Sequence, residues 1–424
     1  MNIDKKNSTI SYDRYILLIS IGTILIIAAF VYDSPDKIFN GIIRIIEEPD
    51  FLISDYFGIG GIGAGLLNSG LLMVQSALLL LFIKTDITGA GLAAEFTVCG
   101  FALFGKNILN VWFILLGVFI YSKYHKERFK KYVYIALFGT TLSPVVTEIM
   151  FGLGFVNPGT ILLGAFAGMF IGFFLPPLSS FLLRVHQGFN LYNIGFAGGV
   201  AGTILVSLFR SYGYPIEARI IWTKGNNFKL SVLLYFIFVL MIIFSFILDN
   251  EVFYKLKKIY KYKGRLITDF VLLEGFPVTI LNMAVNGIIA SLYVLITGGD
   301  LNGPSIGGIL TITGFGAFGK HGRNMTPVML GVFLSGLIGQ SFGGLSLTSP
   351  QVQLAALFST TLAPISGEFG PFIGIIAGML HESVALNIAY LHGGFNLYNN
   401  GFAGGLVAAF LVPVVESFRR RENL

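Results

Sequence analysis

Charge is scarce in this chain. Only 12% of its 424 residues are charged, against about 25% in a soluble domain. A water-soluble globular protein would need a polar shell that these residues do not supply. Cysteine is nearly missing as well. The single Cys99 excludes an internal disulfide and a cysteine-based metal centre. No Walker A sequence is present, so ATP bound to this chain drives nothing. A zinc-protease HExxH site is absent too, because Ala385 stands where the second histidine after His381 and Glu382 would be. No cofactor and no metal is called for, and the chain is not expected to be an enzyme.

What fills the space is apolar. Hydrophobic residues make up 54% of the chain, and mean hydropathy is +0.79. Long uncharged or nearly uncharged runs recur at Tyr15–Tyr32, Gly58–Ile83, Ile108–Tyr121, Ile161–Leu183 and Leu230–Leu248. A stretch of about 20 apolar residues crosses a bilayer as a helix. The first run lacks a small-residue cleavage site and reads as a retained helix, not a signal peptide. The net charge of +6 does not point to nucleic acid. The basic residues sit in short clusters between apolar spans, as the positive-inside bias predicts.

The chain is also written twice. "GFNLYNIGFAGG" at Gly188–Gly199 returns as "GFNLYNNGFAGG" at Gly394–Gly405, with eleven of twelve letters shared. "ISDYF" at Ile53 matches "ITDFV" at Ile267, and "CGFALFGKN" at Cys99 matches "TGFGAFGKH" at Thr313. "ALFGTTLSPVVTE" at Ala136 matches "ALFSTTLAPISGE" at Ala356. Such self-similarity decides the architecture. It divides the chain into a first membrane repeat (1–210), a linker (211–229) and a second membrane repeat (230–424).

Each repeat holds about seven apolar segments, some of them broken or re-entrant at Gly and Pro. An odd number inverts the second copy relative to the first. Charge tests this independently. The loop "SKYHKERFKK" from Ser122 holds five Lys/Arg, whereas its counterpart from Ser335 holds no charge. "NEVFYKLKKIYKYKGR" from Asn250 holds six, whereas its counterpart from Asp33 is acidic. Equivalent loops of opposite charge belong on opposite sides. The expected fold is therefore an all-α polytopic membrane protein of two inverted-topology repeats. Both termini are expected in the cytoplasm of a bacterial cell, with the chain multi-pass in its inner membrane. Arg210, at the end of the first repeat, and Arg219 and Lys224 of the linker fall outside, against the rule.

Inverted repeats place a site near the midplane at the repeat interface, built from interrupted helices. The candidate segments follow. Asn190 and Asn193 are three apart and share one face of a helix, beside Tyr192; Asn396, Asn399 and Tyr398 repeat them. The pairs Gly195/Gly199 and Gly401/Gly405 allow close helix approach. Two readings stand: a packed seam, or a polar and aromatic wall of a path, broken at Gly188 and Gly394. Carboxamides donate and accept, which suits a neutral or zwitterionic solute.

The Thr-Thr-Leu-x-Pro segments give Thr140, Thr141, Thr360 and Thr361 as further path residues, since a proline breaks a helix and hydroxyls can serve the freed groups. Glu148 and Glu368 follow each proline. They are candidates for H+ or Na+ coupling if intramembrane, or simple surface acids if not. Asn68 and Asn282, in apolar helices, either bond a neighbouring helix or line the path. Asp86 and Lys106, and their copies Asp300 and Lys320, are spaced by about 30 Å of helix and read as the two ends of one span, with a buried ion pair as the alternative. Glu95 is a one-sided intramembrane acid. His186 and His392 read as residues at the membrane interface.

These doubled words, with "TDITGAG…GFALFGK" and "TTLxP…E", resemble the bacterial integral-membrane family called domain of unknown function 1576. The likeness covers essentially the whole chain and implies a multi-spanning membrane protein, with no activity assigned. "GFNLYNIGFAGGVAG" also resembles, at class level, the repeated "GLYGYNxxLVGLA" words of inverted-repeat urea-transporter-type channels. Their Asn-Pro loop is absent here, since Ser69 follows Asn68 and Met283 follows Asn282. This second likeness implies permeation of a small polar solute and names no substrate. The expected function is thus a permease or channel for such a solute. The alternatives are an ion-coupled transporter and a membrane sensor or scaffold without flux. The expected partners are the solute, H+ or Na+ in the coupled case, and the lipid bilayer; homo-oligomerisation stays open.

Overall fold

The computed structural model describes residues 11–214 and 219–422. The first repeat runs α1 (Tyr12–Tyr32), α2 (Pro35–Glu47), α3 (Tyr56–Ile59), α4 (Ile62–Phe82), α5 (Gly89–Phe101), α6 (Val111–Tyr124), α7 (Val133–Gly139), α8 (Pro144–Thr147), α9 (Pro158–Val185) and α10 (Asn193–Ser211). The second runs α11 (Asn227–Leu248), α12 (Val252–Ile259), α13 (Phe270–Leu273), α14 (Phe276–Ile296), α15 (Gly303–Phe315), α16 (Gly322–Ser341), α17 (Pro350–Ser359), α18 (Ala363–Phe369), α19 (Pro371–Ile388) and α20 (Asn399–Glu422). Each helix of one half has its counterpart in the other. The boundary expected at residue 230 falls inside the first turn of α11.

Among the described residues, eight helices are long and apolar enough to cross a membrane. A bent pair, Val133–Leu142 with Pro144–Gly152, turns by 49° and makes up to nine. The protein is an all-α multi-pass membrane protein. Its spanning helices form because their runs are apolar all round, and side-chain caps mark the starts of a few helices. Asn157 opens the 28-residue α9 with a capping box closed by Thr160, and Asn302 does the same for α15 with Ser305.

The centre is a pair of short helices. Thirteen residues each, α5 and α15 are about 20 Å long, too short for the roughly 30 Å hydrocarbon core. Every residue of α15 is buried. The two lie antiparallel: a Cβ on Gly89 would sit 2.2 Å from the carbonyl of Ala317, and one on Gly303 would sit 2.3 Å from that of Leu103. Equivalent helices running in opposite directions are what an inverted repeat requires.

Each repeat caps the central helix of the other. Asp55, which begins α3, accepts the amide of Gly303 at the start of α15 (3.1 Å). Asp269, which begins α13, accepts the amides of Gly89 (3.0 Å) and Ala90 (3.4 Å) at the start of α5. A carboxylate at a helix amino end satisfies open donors and meets the positive end of the dipole. Between the repeats, the linker adds a short parallel ladder, β1 (Ile53–Ser54) with β2 (Ile220–Ile221).

Candidate functional site

The doubled motif forms a seam between the repeats. After α9 the chain turns back through Gln187 and Gly188, both at positive φ (52° and 83°), and helix resumes only at Asn193. Gly393 and Gly394 make the same turn (57° and 81°). Asn190 therefore lies in a loop and Asn193 at a helix start, so the two do not share a helix face as their spacing suggests. Positive φ at Gly188, which glycine adopts without strain, is the reason.

Asn190 donates to the carbonyl of Gly401 at 2.9 Å, and Asn396 donates to that of Gly195, also at 2.9 Å. Thr361 donates to the Asn190 Oδ1 (2.5 Å), and Thr141 to the Asn396 Oδ1 (3.2 Å). The same threonine oxygens accept the amides of Tyr192 and Tyr398, both at 2.9 Å. Asn190 and Asn396 are fully buried. Their carboxamides face the opposite repeat across this seam. Gly195 and Gly401 make the approach, since a Cβ on either would lie about 3 Å from the other's Cα.

Asn193 and Asn399 serve a different bond set. Each donates to a carbonyl of the preceding helix, Ser179 (3.1 Å) or Ala385 (3.0 Å). Their Oδ1 atoms lie 2.9 Å from Nε2 of His186 and His392. The Nδ1 of each histidine accepts an amide, from Asn190 and Asn396, so Nε2 carries the proton and donates. Both histidines are buried rather than at the interface.

The broken segments close the seam. Thr140–Leu142 and Thr360–Leu362 are single 3-10 turns. Thr140 bonds the carbonyl of Leu137 (2.6 Å), and Thr360 that of Leu357 (2.7 Å). These carbonyls lie two turns before Pro144 and Pro364, so the hydroxyls do not serve the groups that the prolines free. Asn68 donates to the carbonyls of Ala102 and Lys106, and Asn282 to those of Gly316 and Lys320. Both asparagines finish the carboxyl ends of the central helices.

Glu148 and Glu368 do not meet there. Glu148 is buried and accepts from Tyr214, beside the linker (3.1 Å). Glu368 pairs with Lys263 at 2.7 Å and Arg419 at 3.8 Å, on the opposite, basic face. Glu95 is buried and accepts from Ser76 at 2.6 Å.

At the middle of the seam the Tyr192 and Tyr398 rings lie 4.8 Å apart, tilted by 36°. Two cavities lie at equivalent places of the repeats, and both tyrosines line the larger. The larger, about 200 Å3, is walled by Tyr134, Phe138, Leu191, Tyr192, Phe315 and Phe318, with Leu266 and Ile267 at its rim. The smaller, about 60 Å3, is walled by Leu354, Phe358, Leu397 and Phe104, with Leu52 and Ile53 beside them. Five of these wall and rim positions repeat residue type between the halves. The larger cavity borders the basic segment before Leu266. The smaller borders β1, which pairs with the linker.

The residues that spacing misplaces are Lys106 and Lys320. Expected at the membrane edge, both are fully buried, just past the carboxyl ends of α5 and α15. Asp86, by contrast, lies at the edge and pairs with Arg14 at 3.0 Å. Lys320 Nζ donates to Tyr192 Oη and to Thr360 Oγ1 (2.8 Å). Lys106 Nζ has no hydrogen-bond partner and lies 5.0 Å from the centre of the Phe101 ring. No ion pair among the described residues includes either lysine. The letter-for-letter duplication of "FGK" is the signal that the two lysines share one place in the fold.

No curated protein and no solved structure matches the chain. A family described as "Protein of unknown function (DUF1576)" matches residues 34–211 and 248–417. The two matched stretches fall one on each repeat, leaving out most of the linker and α11. The chain, with its seam, its twin cavities and its buried lysines, belongs to that family.

Proposed function

We propose that this protein is a membrane permease for a small polar solute, whose path runs past the Tyr192–Tyr398 pair at the repeat interface. The observation that carries the reading is the pair of cavities, of unequal size, at equivalent places of the two repeats, with the Tyr192–Tyr398 pair lining the larger. Interrupted helices at the interface of an inverted repeat are the recurring setting for such a site. Asn190 and Asn396 hold the repeats together in this reading, and the tyrosines, Leu191 and Leu397 meet the solute.

The proposal places the chain in a bacterial inner membrane with both termini in the cytoplasm. The basic segments then lie inside. Two of the three discordant charges have partners on their own face. Arg219 pairs with Glu48 at 3.3 Å, and Arg210 stacks 4.0 Å from the centre of the Tyr390 ring.

Flux into proteoliposomes, followed by light scattering with neutral, zwitterionic and charged solutes, tests the reading; absence of flux for all of them rejects it. A scaffold without flux is the second reading, favoured by the saturated bonding of the seam. Cysteine labelling separates the two. On a Cys99→Ala background, Ile135→Cys and Leu386→Cys, one in each cavity, are expected to react with an impermeant thiol reagent from opposite faces. Two inert positions would favour the scaffold.

A further inference from the structure

We infer that the solute is an anion, drawn to the barrier by Lys106 and Lys320; this rests on the permease reading. Two lysine side chains are buried at equivalent positions beside the seam. An intramembrane ionisable group marks function by default, and here there are two of the same sign. Of the buried acids, Asp50 accepts from Tyr56, Asn110 and Thr147, and Glu95 accepts from Ser76; neither joins an ion pair among the described residues.

The carboxyl ends of α5 and α15 provide partial compensation, about half a unit of negative charge each. Asn68 and Asn282 already draw on those carbonyls. An unpartnered buried lysine is costly to charge, and an anion in the adjoining cavity would supply the partner that it lacks. A lysine held only to neutralise a helix end would bond its surroundings, as Lys320 does. Lys106 does not, although its position is the same.

Lys320 stands directly behind a cavity wall, and Lys106 one ring further back. Lys320 Nζ lies 4.3 Å from the centre of the Tyr192 ring and 5.0 Å from that of Phe315, and both rings line the larger cavity. Lys106 lies against Phe101. That ring packs on Phe104 (4.9 Å) and Phe358 (5.7 Å), which line the smaller one. A solute entering from either face therefore approaches a positive charge behind an aromatic layer. The walls are mainly apolar and aromatic, and the carboxamides of Asn193 in the larger cavity and of Gln351, Asn399 and Asn400 in the smaller are the donors open to a small carboxylate or inorganic oxyanion.

The test uses the full chain in proteoliposomes with acetate, nitrate and phosphate as anions, urea as neutral probe and choline as cation. At least one anion should enter, and urea and choline should not. Lys106→Gln and Lys320→Gln should each slow anion entry by about tenfold or more, the scale for losing a desolvated charge contact. Lys320→Arg should keep part of it. Thermal unfolding in detergent guards against misfolding: Lys106→Met should be at least as stable as the parent, because it removes an unpartnered charge. Marked destabilisation by Lys106→Met would make the lysine structural and overturn the inference. Entry of urea or choline, unchanged by either Lys→Gln variant, would also overturn it while leaving the permease standing. No flux of any probe would overturn the permease. Thermal stabilisation by acetate, nitrate or phosphate at constant ionic strength, lost in Lys320→Gln, would then still support an anion site, and its absence would end both.

Discussion

The seam and the cavity walls use the same duplicated sequence and obey its symmetry to different degrees. Across the seam, Asn190 and Asn396 make the same cross-repeat bond at the same 2.9 Å. Beside it, one cavity is about 200 Å3 and the other about 60 Å3. The lysines follow the cavities, one bonded and one not. Symmetry holds where the halves must lock, and it lapses where aromatic side chains and two charges have room for more than one arrangement. In packed interiors such alternatives are discrete rather than continuous.

The largest way to break this comparison is to force the seam apart. A Cβ on Gly199 would lie 2.1 Å from the Phe402 ring, and one on Gly405 would lie 2.3 Å from that of Phe196. Gly199→Val and Gly405→Val are each expected to cost about 3 kcal/mol or more, the upper range for overpacking. Size-exclusion profiles in detergent should show both losing the folded species. Tolerance of one alone would mean the seam is less symmetric than its bonds.

Next comes the bonding itself. Asn190→Ala and Asn396→Ala each strand a buried carbonyl and a buried threonine, a loss of about 1–3 kcal/mol. Thermal unfolding should place the two within about 0.5 kcal/mol of each other, the usual tolerance for equivalent sites. A wide gap between them would tie the seam to the cavity asymmetry. The smallest effect belongs at Glu368, whose partners Lys263 and Arg419 are exposed. Glu368→Gln should change stability by under about 1 kcal/mol. A change in solute flux beyond that would restore Glu368 to a coupling role.

Much of this architecture is legible in the amino-acid sequence. Duplicated words and opposite loop charges point to the inverted pair of repeats, since both are local properties of the chain. The differences arise where local geometry stands in for tertiary placement. Twenty residues from Asp86 to Lys106 span a bilayer only if they are one straight helix; α5 stops at Phe101 and the chain folds back. Asn190 and Asn193 share a face only if helix begins before Asn190, and Gly188 prevents that. The roles of Asp55 and Asp269 are out of reach of local patterns because each is completed by the other half of the chain.

That reciprocal capping has a consequence for how the protein is made. Thr88, which opens α5, provides no side-chain cap of its own, and the carboxylate that meets Gly89 belongs to Asp269. Synthesis proceeds at about 5–20 residues per second, so on the order of ten seconds or more separates the two on the ribosome. During that interval the first repeat is inserted but unfinished. Its central helix acquires its anchor only when the opposite-facing copy arrives, and the halves mature as one unit.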